Sequence, residues 1–214
     1  MSYTLYGQRG FGSTCVEAAL ELLGFEYDFV EADPLGDAEN RTRVKSVNAA
    51  GQVPALILPD DDIMTESAAI LIWLGDLQPD AGLAPATHSP ERAEYLRWML
   101  FLSSNVYPTF TISDGPARFH PEPATHNALL HHAEERRKAL WQLMNRAFQG
   151  LPNPYLLGDR MSLLDVYVAM MSHWSPRRDW FFEHCPNLAG AVRATEANPV
   201  IRAVWQRNFE LEVA

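Results

Sequence analysis

The chain has 214 residues, 47% hydrophobic and 21% charged, enough apolar content to bury the core of one large domain or two modest ones. Its formal net charge of −10 excludes a general nucleic-acid binder, which needs Lys and Arg in excess, and opposes an anionic membrane surface. The opening MSYTLYGQRG has no signal-peptide pattern and no apolar run nears a spanning helix, while Cys15 and Cys185 form neither a disulfide framework nor a zinc site, so the cytosol is the expected compartment.

In chain order, YTLYG (Tyr3–Gly7) reads as a strand and STCVEAALELLG (Ser13–Gly24) as an amphipathic helix closed by a glycine. EYDFVEAD (Glu26–Asp33) alternates with period two, as a half-buried strand does. A polar helix around Asp37–Ser46 follows. PALILPDDDIMTE then reads as a hairpin turning at Pro59–Asp62, and SAAILIWLGDL (Ser67–Leu77) as a helix. The order β-α-β-α-β-β-α predicts a parallel sheet with helices on both faces.

QPDAGLAPATHSP, with three prolines, marks a linker over residues 79–90 between a first domain at 1–78 and a second at 91–214. The strand rhythm then stops. A helix from Pro90 is predicted to end or kink where Pro108 follows Tyr107. Ala124–Phe148 shows apolar residues at three- and four-residue spacing, a second long helix. Ser162 and Asp165 form an S-x-x-D capping box, stapled by Met161 and Val166, ahead of a helix apolar on nearly all sides. The second domain is therefore expected to be an all-α bundle. His126, His131 and His132 lack the i,i+4 pairing of a metal site, so no metal is expected.

VNAAGQVPAL, followed by MTESAAI, is similar to the N-P-x-G-x-V-P-x-L and L-T-E-S-x-A-I patterns of the cytosolic glutathione transferases. Ala49 stands where that family often has proline, and Met64 where it often has leucine. With the element order and the S-x-x-D box, the resemblance covers essentially the whole chain. It implies a thioredoxin-like first domain, a helical second domain, glutathione as co-substrate and a homodimer pairing the first domain of one subunit with the second of the other.

The resemblance also implies site residues. A cis Val53–Pro54 bond would turn the backbone of Val53 toward the cysteinyl part of glutathione, by strand-like addition. Ser67, opening a helix, and Glu66 beside it would hold the γ-glutamyl carboxylate and ammonium. Gln52 first, being adjacent to Val53, and otherwise Lys45 or Asn48, would face the glycine end. Ser13 at a helix N-terminus, or Tyr6 at the end of the first strand, would activate the thiol. Phe11, Tyr107, Phe110 and Trp174 are candidates for the pocket of a small hydrophobic electrophile. The implied reaction is addition of the thiolate to that electrophile, with glutathione peroxidase activity a close cousin. A glutathione-dependent isomerase of the maleylacetoacetate type and a non-catalytic glutathione-binding regulator are the alternatives.

Overall fold

A computed structural model describes residues 2–150 and 154–209. The first half runs β1 (Tyr3–Gly7), α1 (Ser13–Leu22), β2 (Tyr27–Glu31), α2 (Ala38–Val47), β3 (Ala55–Ile57), β4 (Ile63–Thr65) and α3 (Ser67–Leu77). Local chemistry accounts for the boundaries. Gly24, at φ 71, ends α1 in a Schellman turn: its N–H meets the carbonyl of Glu21, and that of Phe25 the carbonyl of Leu20. Asp37 caps α2 by accepting from the N–H of Asn40 at 2.9 Å.

The four strands lie in the order β2-β1-β3-β4, giving the thioredoxin-like arrangement. The expected parallel sheet needs correcting, because the sheet is mixed. β1 and β2 pair in parallel, whereas β3 runs antiparallel to both β1 and β4. A helical crossover does not by itself force parallel pairing. Here the stretch after α2 returns the chain from the other end, and the tight β3–β4 hairpin can join only antiparallel neighbours.

Tyr3, Leu5 and Gly7 of β1 are buried on one face, where Leu5 joins Val16, Leu20 and Ile70 in the main core. Tyr6 points to the other face, in a small cluster with Ala32, Val44 of α2, and Val53. Helices thus cover both faces of the sheet, as expected.

The second half is helical: α4 (Glu91–Phe101), α5 (Tyr107–Asp114), α6 (His126–Ala147), α7 (Leu163–Met171), α8 (Arg178–His184), α9 (Pro186–Glu196) and α10 (Pro199–Phe209). Pro108 does not end its helix. The chain widens into a π-helical turn over Leu102–Val106 and resumes as α5 at Tyr107. Such a turn tolerates the carbonyl that proline, lacking an N–H, leaves unbonded. The main core passes without a break from Leu5 and Ile70 to Trp98, Trp141 and Val166, so the two halves share one interior. At its centre Asp165 accepts from the N–H groups of Ser162 and Leu156, both at 2.8 Å, tying the start of α7 to the preceding loop. Among the described residues no helix is long and apolar enough to cross a membrane.

Candidate active site

A cavity of about 300 Å³ opens where the edge of the sheet meets α5 and α7. Its sheet-side wall is mostly backbone. The β3 ladder starts at Ala55, and among the described residues neither the N–H nor the C=O of Val53 has a partner. The Val53–Pro54 bond is cis. Asn48 steadies the preceding loop, donating to the carbonyl of Gln52 at 2.9 Å and accepting from the N–H of Ala50 at 3.0 Å.

Glu66 sits across from this loop with φ 67 and ψ 102. That conformation costs a non-glycine residue about 1–3 kcal/mol, and it leaves the side chain in the cavity wall at the mouth of α3. The first N–H groups of α3 have no intrahelical partner, and they carry the positive end of the helix dipole. Ser67, buried beside them, shares a 2.8 Å hydrogen bond with the hydroxyl of Tyr167 on α7.

Six of the predicted glutathione-binding residues, Asn48, Gln52, Val53, Pro54, Glu66 and Ser67, thus border one cavity. Lys45 does not line it. Its aliphatic stem would lie 3.6 Å from a Cβ at Gly51, which does line the cavity.

The predicted thiol activators stand elsewhere. Ser13 is fully buried, and its hydroxyl spans the β1–α1 loop, donating to the carbonyl of Gln8 at 2.9 Å and accepting from its N–H at 3.1 Å. Both functions of the hydroxyl are engaged, and it faces Gly7 rather than the cavity. Tyr6 packs on the α2 side of the sheet. Cys15 is buried and donates to the carbonyl of Gly12, and burial pushes its thiol well up, as an inert core cysteine requires.

A different hydroxyl occupies the place where α1 begins. Gly12 is the N-cap of α1, and a Cβ built on it would lie 2.3 Å from the Tyr107 hydroxyl. Only glycine admits that approach. Burial pushes the Tyr107 phenol well above its ordinary range, with only a weak opposing pull from the backbone at Gly12. At neutral pH it is a proton donor and not a base.

Tyr107, Phe11 and Asp114 also line a second, adjoining cavity of about 340 Å³. Phe110 and Trp174 border this second space and stand edge to face with centroids 4.9 Å apart; Tyr107 and Trp174 do the same at 5.4 Å. The Trp174 indole donates to the carbonyl of Gly10 at 2.7 Å, and Asn208 of α10 accepts from the N–H of Gly10 and the hydroxyl of Thr14. The loop from Gln8 to Gly12 is therefore held from both sides.

Sequence reasoning missed Tyr167, Asp114, Arg118 and Arg137 as lining residues. Tyr167 carried a signal, being the one hydroxyl in the apolar helix LLDVYVAMM. The other three reach the cavities through tertiary packing and left none.

The model for the glutathione S-transferase N-terminal domain matches residues 13–77. The chain is 36% identical over 205 residues to the uncharacterized GST-like protein YncG of Escherichia coli K12, covering 95% of this chain and 97% of that one. It is 26% identical over 199 residues to glutathione S-transferase GstA of Escherichia coli O157:H7, covering 92% and 94%. Among solved structures, a Sulfitobacter glutathione transferase homologue with bound glutathione aligns with a TM-score of 0.83 at 26% identity, over 95% of this chain and 96% of that one. A ternary complex of BphK, a bacterial GST, aligns with a TM-score of 0.79, also at 26% identity, over 95% and 98%. The chain belongs to the glutathione S-transferase family.

Proposed function

We propose that the protein is a glutathione transferase whose first cavity holds the tripeptide and whose second holds the electrophile. The observation that carries this reading is the strained Glu66 at the mouth of α3, facing the unpaired backbone of Val53 across one cavity. A carboxylate, a hydroxyl and free helix N–H groups match an amino-acid head group, whose carboxylate and ammonium need opposite partners. An open strand edge matches an extended peptide that follows. The glycine end would run toward Gln52, with Lys45 near Gly51. The glutathione bound in the Sulfitobacter homologue supports the same ligand.

In this reading the sulfur lies at the start of α1, between the first-turn N–H groups and the Tyr107 hydroxyl. Lowering a thiol pKa by about two units needs ~2.7 kcal/mol, within reach of one or two charge-assisted hydrogen bonds at roughly 1.5–3 kcal/mol each. The thiol proton leaves to solvent and Tyr107 keeps its own. The thiolate then forms a bond to the electrophilic carbon, and with a chloro-nitroaromatic the chloride departs with the electron pair of the broken bond. Ser13 would serve to shape the loop. A cytosolic homodimer belongs to the same reading.

Calorimetry with glutathione, followed by conjugation of 1-chloro-2,4-dinitrobenzene, tests the proposal. Saturable binding with turnover supports it. No binding at millimolar glutathione would refute it, and binding without turnover on a range of electrophiles would leave a glutathione-binding protein instead. Sedimentation at the monomer mass across micromolar concentrations would remove the dimer.

A further inference from the structure

The second cavity contains a buried cation that the protein leaves unbalanced. Arg137 of α6 is 1% exposed and borders the cavity. Its Nε donates to Thr109 Oγ1 at 3.0 Å, and its Nη2 to the Thr109 carbonyl at 2.8 Å and to Ser113 Oγ at 2.7 Å. Its Nη1 donates once, to the carbonyl of Ser175 at 3.2 Å. Every one of these acceptors is neutral, and one Nη1 hydrogen is left over. The Phe110 ring covers the guanidinium at 4.0 Å. Among the described residues Arg137 forms no ion pair, although buried charges are normally paired.

The titratable groups nearby do not pair with it: Glu134 acts on Arg137 through space, but its carboxylate is bonded to Lys138 at 2.8 Å. Asp114 shares the wall, but desolvation raises its carboxyl above the usual range, and its field is divided between Arg118 and Arg137. Arg177 adds a second cation at the rim. It is exposed, without an ion pair among the described residues, and held at φ 77 and ψ 165. His173 is kept neutral mainly by burial, with Glu196 and Arg178 against its Nε2. Two guanidiniums thus face one carboxyl across a space walled by aromatic rings.

We propose that the second substrate is a planar carboxylate, its ring among Tyr107, Phe110 and Trp174 and its anionic group toward the spare Nη1–H of Arg137 and Arg177. Charge-assisted hydrogen bonds to arginine are the strong ones, and a desolvated guanidinium strengthens them further. The inference rests on the transferase reading for the word substrate. The binding of the anion does not.

The test titrates the full chain, without glutathione, with 2,4-dinitrobenzoate and with its neutral methyl ester, following quenching of tryptophan fluorescence. The acid is expected to bind roughly tenfold or more tightly than the ester. Arg137→Met should abolish that preference, and Arg177→Gln should reduce it roughly threefold. Asp114→Asn, which removes the opposing charge, should widen it. Should Arg137→Met fail to fold, the exposed positions 177 and 114 carry the test with effects of opposite sign. Equal affinity for acid and ester overturns the inference, as does a preference unmoved in both the Arg177 and Asp114 variants. Glutathione titrated separately keeps the two readings apart. Glutathione binding with no carboxylate preference overturns this inference alone, while carboxylate preference with no glutathione binding overturns the transferase reading alone.

Discussion

The two walls of the first cavity are made of different material. On the sheet side, Val53 and the first turn of α3 offer backbone groups, set by chain geometry and by side chains only a few positions away. On the helical side, Tyr107 and Tyr167 offer hydroxyls whose positions depend on packing across the whole interior. A backbone wall reads any ligand of peptide shape and tolerates substitution of most side chains. A side-chain wall can be retuned one residue at a time. On the proposed reading the first wall would recognise glutathione, and the second would carry the chemistry at the border with the electrophile's cavity.

The largest expected effect tests the side-chain wall. Tyr107→Phe should lower kcat for conjugation near pH 6.5 by roughly 10–100-fold, the loss of one charge-assisted hydrogen bond of about 1.5–3 kcal/mol, with the KM for glutathione little changed. Its pH–rate profile should move to higher pH, since the thiol then ionises less readily. An unmoved profile would return the chemistry to the sheet wall.

Next comes the clamp behind the helical wall. Glu196 takes two N–H bonds from Arg178, one at 2.9 Å, and one from the Trp205 indole at 3.0 Å. Desolvation works to raise its carboxyl, yet His173 and Arg178 outweigh it and hold the group below its ordinary range. A depressed carboxylate contributes stability above its unfolded pKa and loses it as pH falls through the folded one. Glu196→Gln is expected to cost about 2 kcal/mol at neutral pH by urea titration, and to flatten the loss of stability below about pH 4.3. An acid limb as steep as that of the unaltered protein would show that other carboxylates govern it.

Smaller effects belong to the backbone wall. Ser67→Ala should weaken glutathione about tenfold, the ~1.4 kcal/mol of one hydrogen bond, and leave the pH profile in place. Calorimetry and the profile together separate it from Tyr107→Phe. Glu66→Gly, which relieves the positive φ, should stabilise the fold by about 1 kcal/mol in thermal melts while weakening glutathione. A variant that gains stability and keeps full affinity would mean the strain has no function.

The same division explains what the sequence disclosed. Val53–Pro54, Glu66–Ser67 and Ser162–Asp165 are local devices: each sets its geometry within a few residues, so the letters carry the structure. Gly12 was visible only as one glycine among several, because its reason lies in Tyr107, 95 positions away. The strand directions could not be read from element order, since the connection after α2 decides which end β3 enters. Pro108 suggested a break because proline costs an α-helix about 3 kcal/mol, and the π turn that avoids this cost has no sequence signature of its own. Ser13 sits at a helix start as expected. That its hydroxyl turns back on Gln8 rather than outward is a fact of the loop alone.

Asn208 gives this architecture an order in time. Its side-chain oxygen receives the N–H of Gly10, 198 positions earlier, and the hydroxyl of Thr14, while its amide reaches Glu17 at 2.8 Å. During synthesis the β1–α1 loop emerges long before this residue that helps to fasten it. A polypeptide interrupted upstream of α10 would keep the Trp174 bond to the β1–α1 loop but lack that of Asn208, so the loop is held from both sides only once α10 docks.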